Sequence, residues 1–322
     1  MRLTGWFGTH GWVALIVVRL SSVYCGDSLL SSSLKVYPGI PLIAVSSCCF
    51  ANIREDLQTG GSKAMSLEVL VATMFQHDYS LPAKMNIQSD AIIGNQCDRN
   101  EVIEIDYNGH RIRYLSFAER GVGLNRNNAL MRSTAELCVL ADDDQVFVDG
   151  YSEVIEESFR RRPDADVLLF NVECPRRYVI MKPFRVRFFN FMRFGGPRIA
   201  FRRTSVTKRG ICFNLHFGGG AKYGAGEDVL FLADCLRKGL RVFAVPETIA
   251  RLTNERESTW FTGYGEKFFI DRGALFSCMS PRCAALLCLQ FAIRHRSLFR
   301  SEFRWFEALR LMLEGSREFS QW

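Results

Sequence analysis

The sequence predicts an α/β protein built on a doubly wound sheet flanked by helices, and three observations predict it. Leu137-Cys138-Val139-Leu140-Ala141 is a short uncharged run that stops abruptly at Asp142-Asp143-Asp144, as a strand buried on both faces does at its carboxyl end. Strand-like and helical runs alternate over roughly 110 residues from Met65, the pattern of a sheet covered by helices on both sides. The acidic triplet falls beyond the end of its strand, where open α/β sheets bind their ligands.

In order, Leu67 to Ala72, Asp90 to Asn95 and Arg111 to Leu115 read as strands. Asn108-Gly109 is a tight-turn signal, so Glu101 to Leu115 is expected to be a hairpin. A helix over Asn125 to Ser133 precedes the Leu137 strand. Gly150 to Arg162 reads as an exposed helix, with Glu156–Arg160 and Glu157–Arg161 four apart and Pro163 after it. Val167 to Val172 is a further buried strand. The second half is more mixed: strands at Ile199 to Phe201 and Arg241 to Val245, and a helix from Glu227 to Lys238 closed by Gly239. The chain is helical from Gly273, and its tail carries apolar Cys283 to Ile293 followed by Arg294, Arg296, Arg300 and Arg304 among aromatics.

At 322 residues, 48% hydrophobic and 23% charged, the chain supports one large domain with appendages and a sizeable core. Residues 1–64 differ from the rest: Ser-rich, without sustained period, their best apolar run (Trp12 to Val18) too short to span a membrane. They form an irregular extension, and a chain starting at Met65 is expected to fold and act without them. Residues 65–275 are expected to form the folded domain, in halves 65–172 and 173–275, and 276–322 a basic-aromatic helical tail. No window approaches 18 uninterrupted apolar residues, so no spanning helix is expected. Eleven scattered cysteines without a CxxC pair read as reduced cytosolic thiols. The net charge of +7 is uneven: twelve lysines and arginines lie from Arg176 to Lys222, with no acidic residue between Glu173 and Glu227. Such a block favours an anionic partner, whether a diphosphate, an acidic membrane or a nucleic acid.

Three like charges in a row repel unless a cation holds them, and carboxylate oxygens suit Mg²⁺ or Mn²⁺; the plainer reading is a solvated acidic turn. Arg120-Gly121 and Arg126-Asn127 lie at the helix before the acidic strand, where free N–H groups and a guanidinium fork suit phosphate, although most arginines are simply exposed. Gly218-Gly219-Gly220 and Gly224-Ala225-Gly226 lead into Glu227-Asp228. Acids are favourable at any helix start, and a carboxylate in a glycine-lined pocket also suits a general base. Trp260 and Phe261 line a sugar pocket or belong to the core.

In this order the parts resemble the family 2 glycosyltransferases of the GT-A fold, over about residues 65–275. The resemblance rests on Arg126-Asn127, Asp142 to Asp144 with Asp149-Gly150-Tyr151 after them, and Gly226-Glu227-Asp228. It implies a mixed GT-A sheet, a nucleotide-sugar donor, a divalent metal and inversion at the anomeric carbon. Thr73 and the Asn95 to Asp98 turn would meet the nucleoside, and Arg126 the base and diphosphate. Asp142 and Asp143 would contact the donor, Asp142 and Asp144 the metal (Mn²⁺ or Mg²⁺), and Trp260 the sugar. Asp228 would be the catalytic base, with Glu227 able to exchange roles. The sequence departs from the family where Asn95 replaces an acidic residue. It departs again where no histidine lies between His216 and His295 to serve as a late metal ligand, leaving Asn254, a water or the diphosphate for that place.

The expected function is a metal-dependent inverting glycosyltransferase of surface-polysaccharide synthesis. A UDP-sugar is the expected donor and a saccharide or lipid-linked molecule the acceptor. The expected location is the cytoplasm, at the inner face of an anionic membrane, without a nucleic-acid partner. A nucleotidyltransferase of similar fold is the nearest rival, but the loop Thr73-Met74-Phe75-Gln76-His77 lacks the glycines it would need. A non-catalytic protein that binds polyanions or membrane is the other.

Overall fold

The computed structural model describes residues 64–174, 178–253 and 263–321. Residues 1–63, Asn254 and the Trp260–Phe261 pair lie outside them. β1 (Leu67–Met74) leads through one helical turn, α1 (Leu81–Lys84), to β2 (Asp90–Gln96). β3 (Glu101–Tyr107) and β4 (His110–Phe117) follow, then α2 (Val122–Arg132), β5 (Leu137–Asp142), β6 (Gln145–Phe147), α3 (Tyr151–Arg161) and β7 (Val167–Glu173). The second half holds β8 (Phe184–Arg185), β9 (Ile199–Arg202), α4 (Arg203–Thr207), α5 (Glu227–Arg237) and β10 (Val242–Leu252). The chain ends in α6 (Glu266–Met279), α7 (Ala284–Arg294), α8 (Arg296–Phe299) and α9 (Trp305–Ser320).

Among the described residues ten strands form one sheet, in the order β3-β4-β2-β1-β5-β9-β7-β10-β6 with β8 on β10. β4, β2, β1 and β5 are parallel, and β9 runs antiparallel between β5 and β7, so the sheet is mixed. Strand side chains alternate between faces, and both faces of the central strands are apolar. Leu67, Val69, Val71, Leu137, Val139 and Ala141 enter one core with Ile155 and Phe159 of α3. Leu70, Cys138 and Leu140 enter the other, with Ala129 and Leu130 of α2 and Phe231 of α5. This double burial is the doubly wound arrangement the sequence predicts.

The expected hairpin is present, its turn formed by Asn108 and Gly109 at φ 54° and 80°. Other boundaries shift. α2 begins at Val122, ahead of the expected Asn125, because Gly121 (φ 126°) turns the chain without a side-chain cap to mark the start. β10 runs on beyond the expected Val245, since the register slips between Ala244 and Thr248, around Pro246, and pairing then resumes. The described cysteines are free thiols, and no helix among the described residues is long and apolar enough to cross a membrane.

The tail folds back on the domain. α9 crosses α6 so closely that a Cβ on Gly273 would overlap the Met312 carbonyl oxygen, and one on Gly315 that of Ile270. Gly315→Ala should therefore destabilise the fold. The gain in helix propensity is about 1 kcal/mol, whereas overpacking against immovable backbone costs about 1–3 kcal/mol. Thermal unfolding checks this; a raised Tm would mean the crossing is looser than it stands here.

At the end of β1 remote from the acidic triplet, the buried Glu68 accepts hydrogen bonds from Ser133 Oγ, Arg113 and the N–H of Thr134 and Ala135. Burial pushes its carboxyl up, but the Ser133 and Arg113 bonds outweigh that and hold it below the ordinary value. A depressed folded pKa lends stability above the unfolded pKa, lost as pH falls through the folded one. Glu68→Gln should therefore flatten the acid limb of a Tm-against-pH curve, and an unchanged limb would remove Glu68 from the account.

Candidate active site

The site lies along the carboxyl ends of β1, β2 and β5, where Thr73 pairs with Asn95 and Ala72 with Asp142. Thr73 Oγ1 donates to Asp143 Oδ2 at 2.7 Å and accepts from Gln76 Nε2. Asn95 is buried and gives both ends of its amide to Gln76: Oδ1 accepts from the backbone N–H, and Nδ2 donates to the carbonyl. Asn95 thus shapes the loop after β1. That loop bends at Phe75, which has left-handed φ (53°) despite its side chain. Its exposed ring lies under the Arg120 guanidinium, 4.8 Å away. Strained non-glycine backbone of this kind concentrates at ligand clamps. Asp98 is exposed in the turn between β2 and β3.

α2 delivers Arg126 to the centre. Its backbone comes close because Gly94 has no Cβ to strike Asn125, whose Nδ2 donates to the Gly94 carbonyl at 2.6 Å. Asn127, next in the chain, clamps the backbone of Phe213 from both sides, accepting from its N–H and donating to its carbonyl. Arg126 itself is 3% exposed. It donates through Nη1 to Glu227 Oε1 and through Nη2 to Asp142 Oδ1, each at 2.7 Å. Burial opposes its charge, but Asp142, Glu227 and Asp228 outweigh the penalty and hold it protonated. The fork joins the end of β5 to the start of α5, and its Glu227 partner lies 101 residues beyond Arg126 in the chain.

Glu227 is buried too, with Gly218 (φ 100°) against its carboxylate where a Cβ would not fit. Burial, then the neighbouring Asp228 charge, push its pKa up against the pull of Arg126. Asp228 is half-buried, and its Oδ2 accepts the Gly196 N–H at 2.7 Å. On α6, Arg272 lies over the Phe268 ring at 5.2 Å and the Phe291 ring at 5.4 Å. Burial pulls its pKa down, and the Asp228 charge pulls it back.

The structure thus gathers Thr73, Asn95, Arg126, Asp142, Asp143, Glu227 and Asp228 on one edge of the sheet, with Asp98 in a neighbouring turn. Trp260 lies outside the described residues. The sequence reading did not foresee Phe75, Gln76 or Gly196 as parts of the site. Nor did it foresee that both halves of the Arg126 fork would be taken by carboxylates. Asp144 Oδ1 is buried, and the Asp144 carbonyl accepts from Thr253. Among the described residues no three His, Cys, Asp or Glu side chains converge as a cage. Mg²⁺ and similar ions are commonly held by one or two carboxylates plus substrate phosphates, and the hard oxygens of Asp142 and Asp144 fit that mode.

The fold is α/β of the GT-A-like class. It is similar to S. aureus TarS, residues 1–349, in complex with UDP-GlcNAc, with a TM-score of 0.55 and 17% identity over 80% of this chain and 81% of that one. The same protein in complex with UDP gives 0.53 and 17%, over 78% and 81%. At this identity the likeness is one of fold. No protein-family model matches the sequence, and no curated protein does.

Proposed function

We propose that this chain is an inverting, metal-dependent glycosyltransferase of the family 2 type. It would move a sugar from a UDP-sugar to a hydroxyl of a saccharide or lipid-linked acceptor, in surface-polysaccharide synthesis at the cytoplasmic face of a membrane. The carrying observation is the buried Arg126, which ties Asp142 to Glu227 and so sets Asp228 beside an acidic strand end. Support for the donor comes from TarS, crystallised with UDP-GlcNAc and with UDP on a similar fold.

In this reading Asp228 takes the proton of the acceptor hydroxyl as its oxygen bonds to the anomeric carbon. The bond from that carbon to the diphosphate oxygen breaks, and UDP departs with the electron pair. Thr73 and Asp143, hydrogen-bonded to each other, face the nucleoside, and the Phe75 ring offers the base a flat surface already backed by Arg120. Asp142 and Asp144 would hold Mn²⁺ or Mg²⁺, which when bound offsets the charge building on the diphosphate. Arg126 keeps Asp142 in place and is charged throughout.

A thermal-shift series with UDP and UDP-GlcNAc, with and without Mn²⁺, tests the reading. Ligand at one hundred times its Kd raises stability by about 2.7 kcal/mol. Donor hydrolysis or transfer releasing UDP should follow. Pyrophosphate release from UTP and a sugar phosphate would overturn it in favour of nucleotidyl transfer.

A further inference from the structure

We propose that residues 178–193 form a docking face for an anionic lipid bilayer, set beside the candidate active site. Tyr178, Val179, Met181, Phe188, Phe189 and Met192 are all exposed, Met181 at 82% and Phe189 at 64%. Apolar side chains gathered this densely on a surface mark an interaction site. Between them stand Lys182, Arg185, Arg187 and Arg193, each exposed and none in an ion pair among the described residues. Elsewhere in the basic block, Arg198 is buried, Arg202 pairs with Glu136 and Lys222 with Glu318, while Arg203, Lys208 and Arg209 stand in or just after α4. What sets residues 178–193 apart is that their exposed cations stand among exposed large apolar side chains.

The face is held in shape. Arg198 donates to the Tyr178 carbonyl at 2.6 Å, and Asn171 binds both the N–H and the carbonyl of Ile180. The Tyr178 ring meets Phe194 edge-on, and Arg193 lies 4.9 Å over it. β8 pairs with β10. A braced backbone thus presents aromatic, methionine and cationic side chains outward. Aromatics and methionine suit the boundary between headgroups and acyl chains, and lysine and arginine suit lipid phosphates. A soluble polyanion would satisfy the charges and leave the apolar groups in water, so a bilayer is the better occupant.

The segment continues into Gly196, whose N–H is bonded to Asp228. Docking would therefore bring the lipid surface to the acceptor side of the site. That last step rests on the transferase reading; bilayer binding does not. The competing face is the tail, where Leu286, Leu289 and Ile293 are exposed. A cavity of about 420 Å³ opens there between Arg296, Arg300, Phe303, Arg304, Trp305 and Phe306. The tail carries acidic residues as well, and α9 is occupied in packing on α6.

Flotation of the full chain on phosphatidylcholine vesicles, with and without phosphatidylglycerol, tests the proposal. Three variants are compared: Arg185→Glu/Arg187→Glu, Met181→Ser/Phe189→Ser, and Arg296→Glu/Arg300→Glu in the tail. Binding is expected only with phosphatidylglycerol and to weaken with salt. Each of the first two variants should lose about tenfold or more in affinity, and the tail variant less than about threefold. Far-UV circular dichroism and an unchanged UDP-induced thermal shift would show that fold and donor site survive, which separates this failure from failure of the transferase reading. The proposal is overturned by undiminished binding in either of the first two variants. It is also overturned by no binding to phosphatidylglycerol vesicles, by loss confined to the tail variant, or by self-association through the face in place of lipid binding.

Discussion

Asp228→Asn is expected to lower turnover by about 10²–10⁴-fold, the usual contribution of a general base, with donor and metal affinity nearly unchanged. Inversion by direct displacement needs a carboxylate on the face opposite the leaving diphosphate. Asp142 and Asp144 are poor choices, because in the proposed reading they would hold a cation that draws off their electron density and would stand on the leaving-group side. Glu227 is next to Asp228, but its Oε1 is taken by Arg126 and its burial is nearly complete. Asp228 is half-buried and closer to solvent. It stands at the start of α5 and its Oδ2 accepts the Gly196 N–H. Glu227→Gln should reduce turnover less. If Asp228→Asn loses donor binding in proportion to turnover, Asp228 is a donor contact or a cap and its catalytic role is withdrawn.

Arg126→Met should be the most destabilising single change in the site. It would leave Asp142, Glu227 and Asp228 facing one another with their shared cation gone. Breaking a buried ion pair by removing one partner costs about 3–5 kcal/mol, about 10 °C in Tm for a domain of this size. Arg126→Lys keeps the charge but has no planar fork to reach both carboxylates, so it should fall between. The double variant Arg126→Met/Glu227→Gln should recover part of the loss, because the two sites are coupled. Thermal unfolding of the four proteins decides. A loss below about 1 kcal/mol in Arg126→Met would mean that the bridge does not order the site.

Much of this was legible because local signals and tertiary demands agreed. The β5 run, uncharged up to Asp142, suits a doubly buried strand, and Asn108-Gly109 is a strong hairpin signal. The acidic triplet and Glu227-Asp228 were readable as the ends of elements. What was not legible depends on distance along the chain. Nothing near Arg126 announces that Glu227, 101 residues on, will take half of its fork, nor that Gly196 will donate to Asp228. β6 was missed because three residues beside three aspartates carry no period. Phe75 was missed because left-handed backbone in a non-glycine residue is imposed by its surroundings, here by Asn95 holding Gln76.

The pair of rings around Arg272 has a consequence for genetics. Phe291 belongs to α7, and α9 presses on α6 at Ile270, two residues from Arg272. The guanidinium whose charge reaches Asp228 is therefore held partly by residues from the far end of the chain. Lesions in the tail would then present as loss of activity in an otherwise soluble protein. On the transferase reading, the C-terminal helices would therefore score with the candidate active site in a mutational scan.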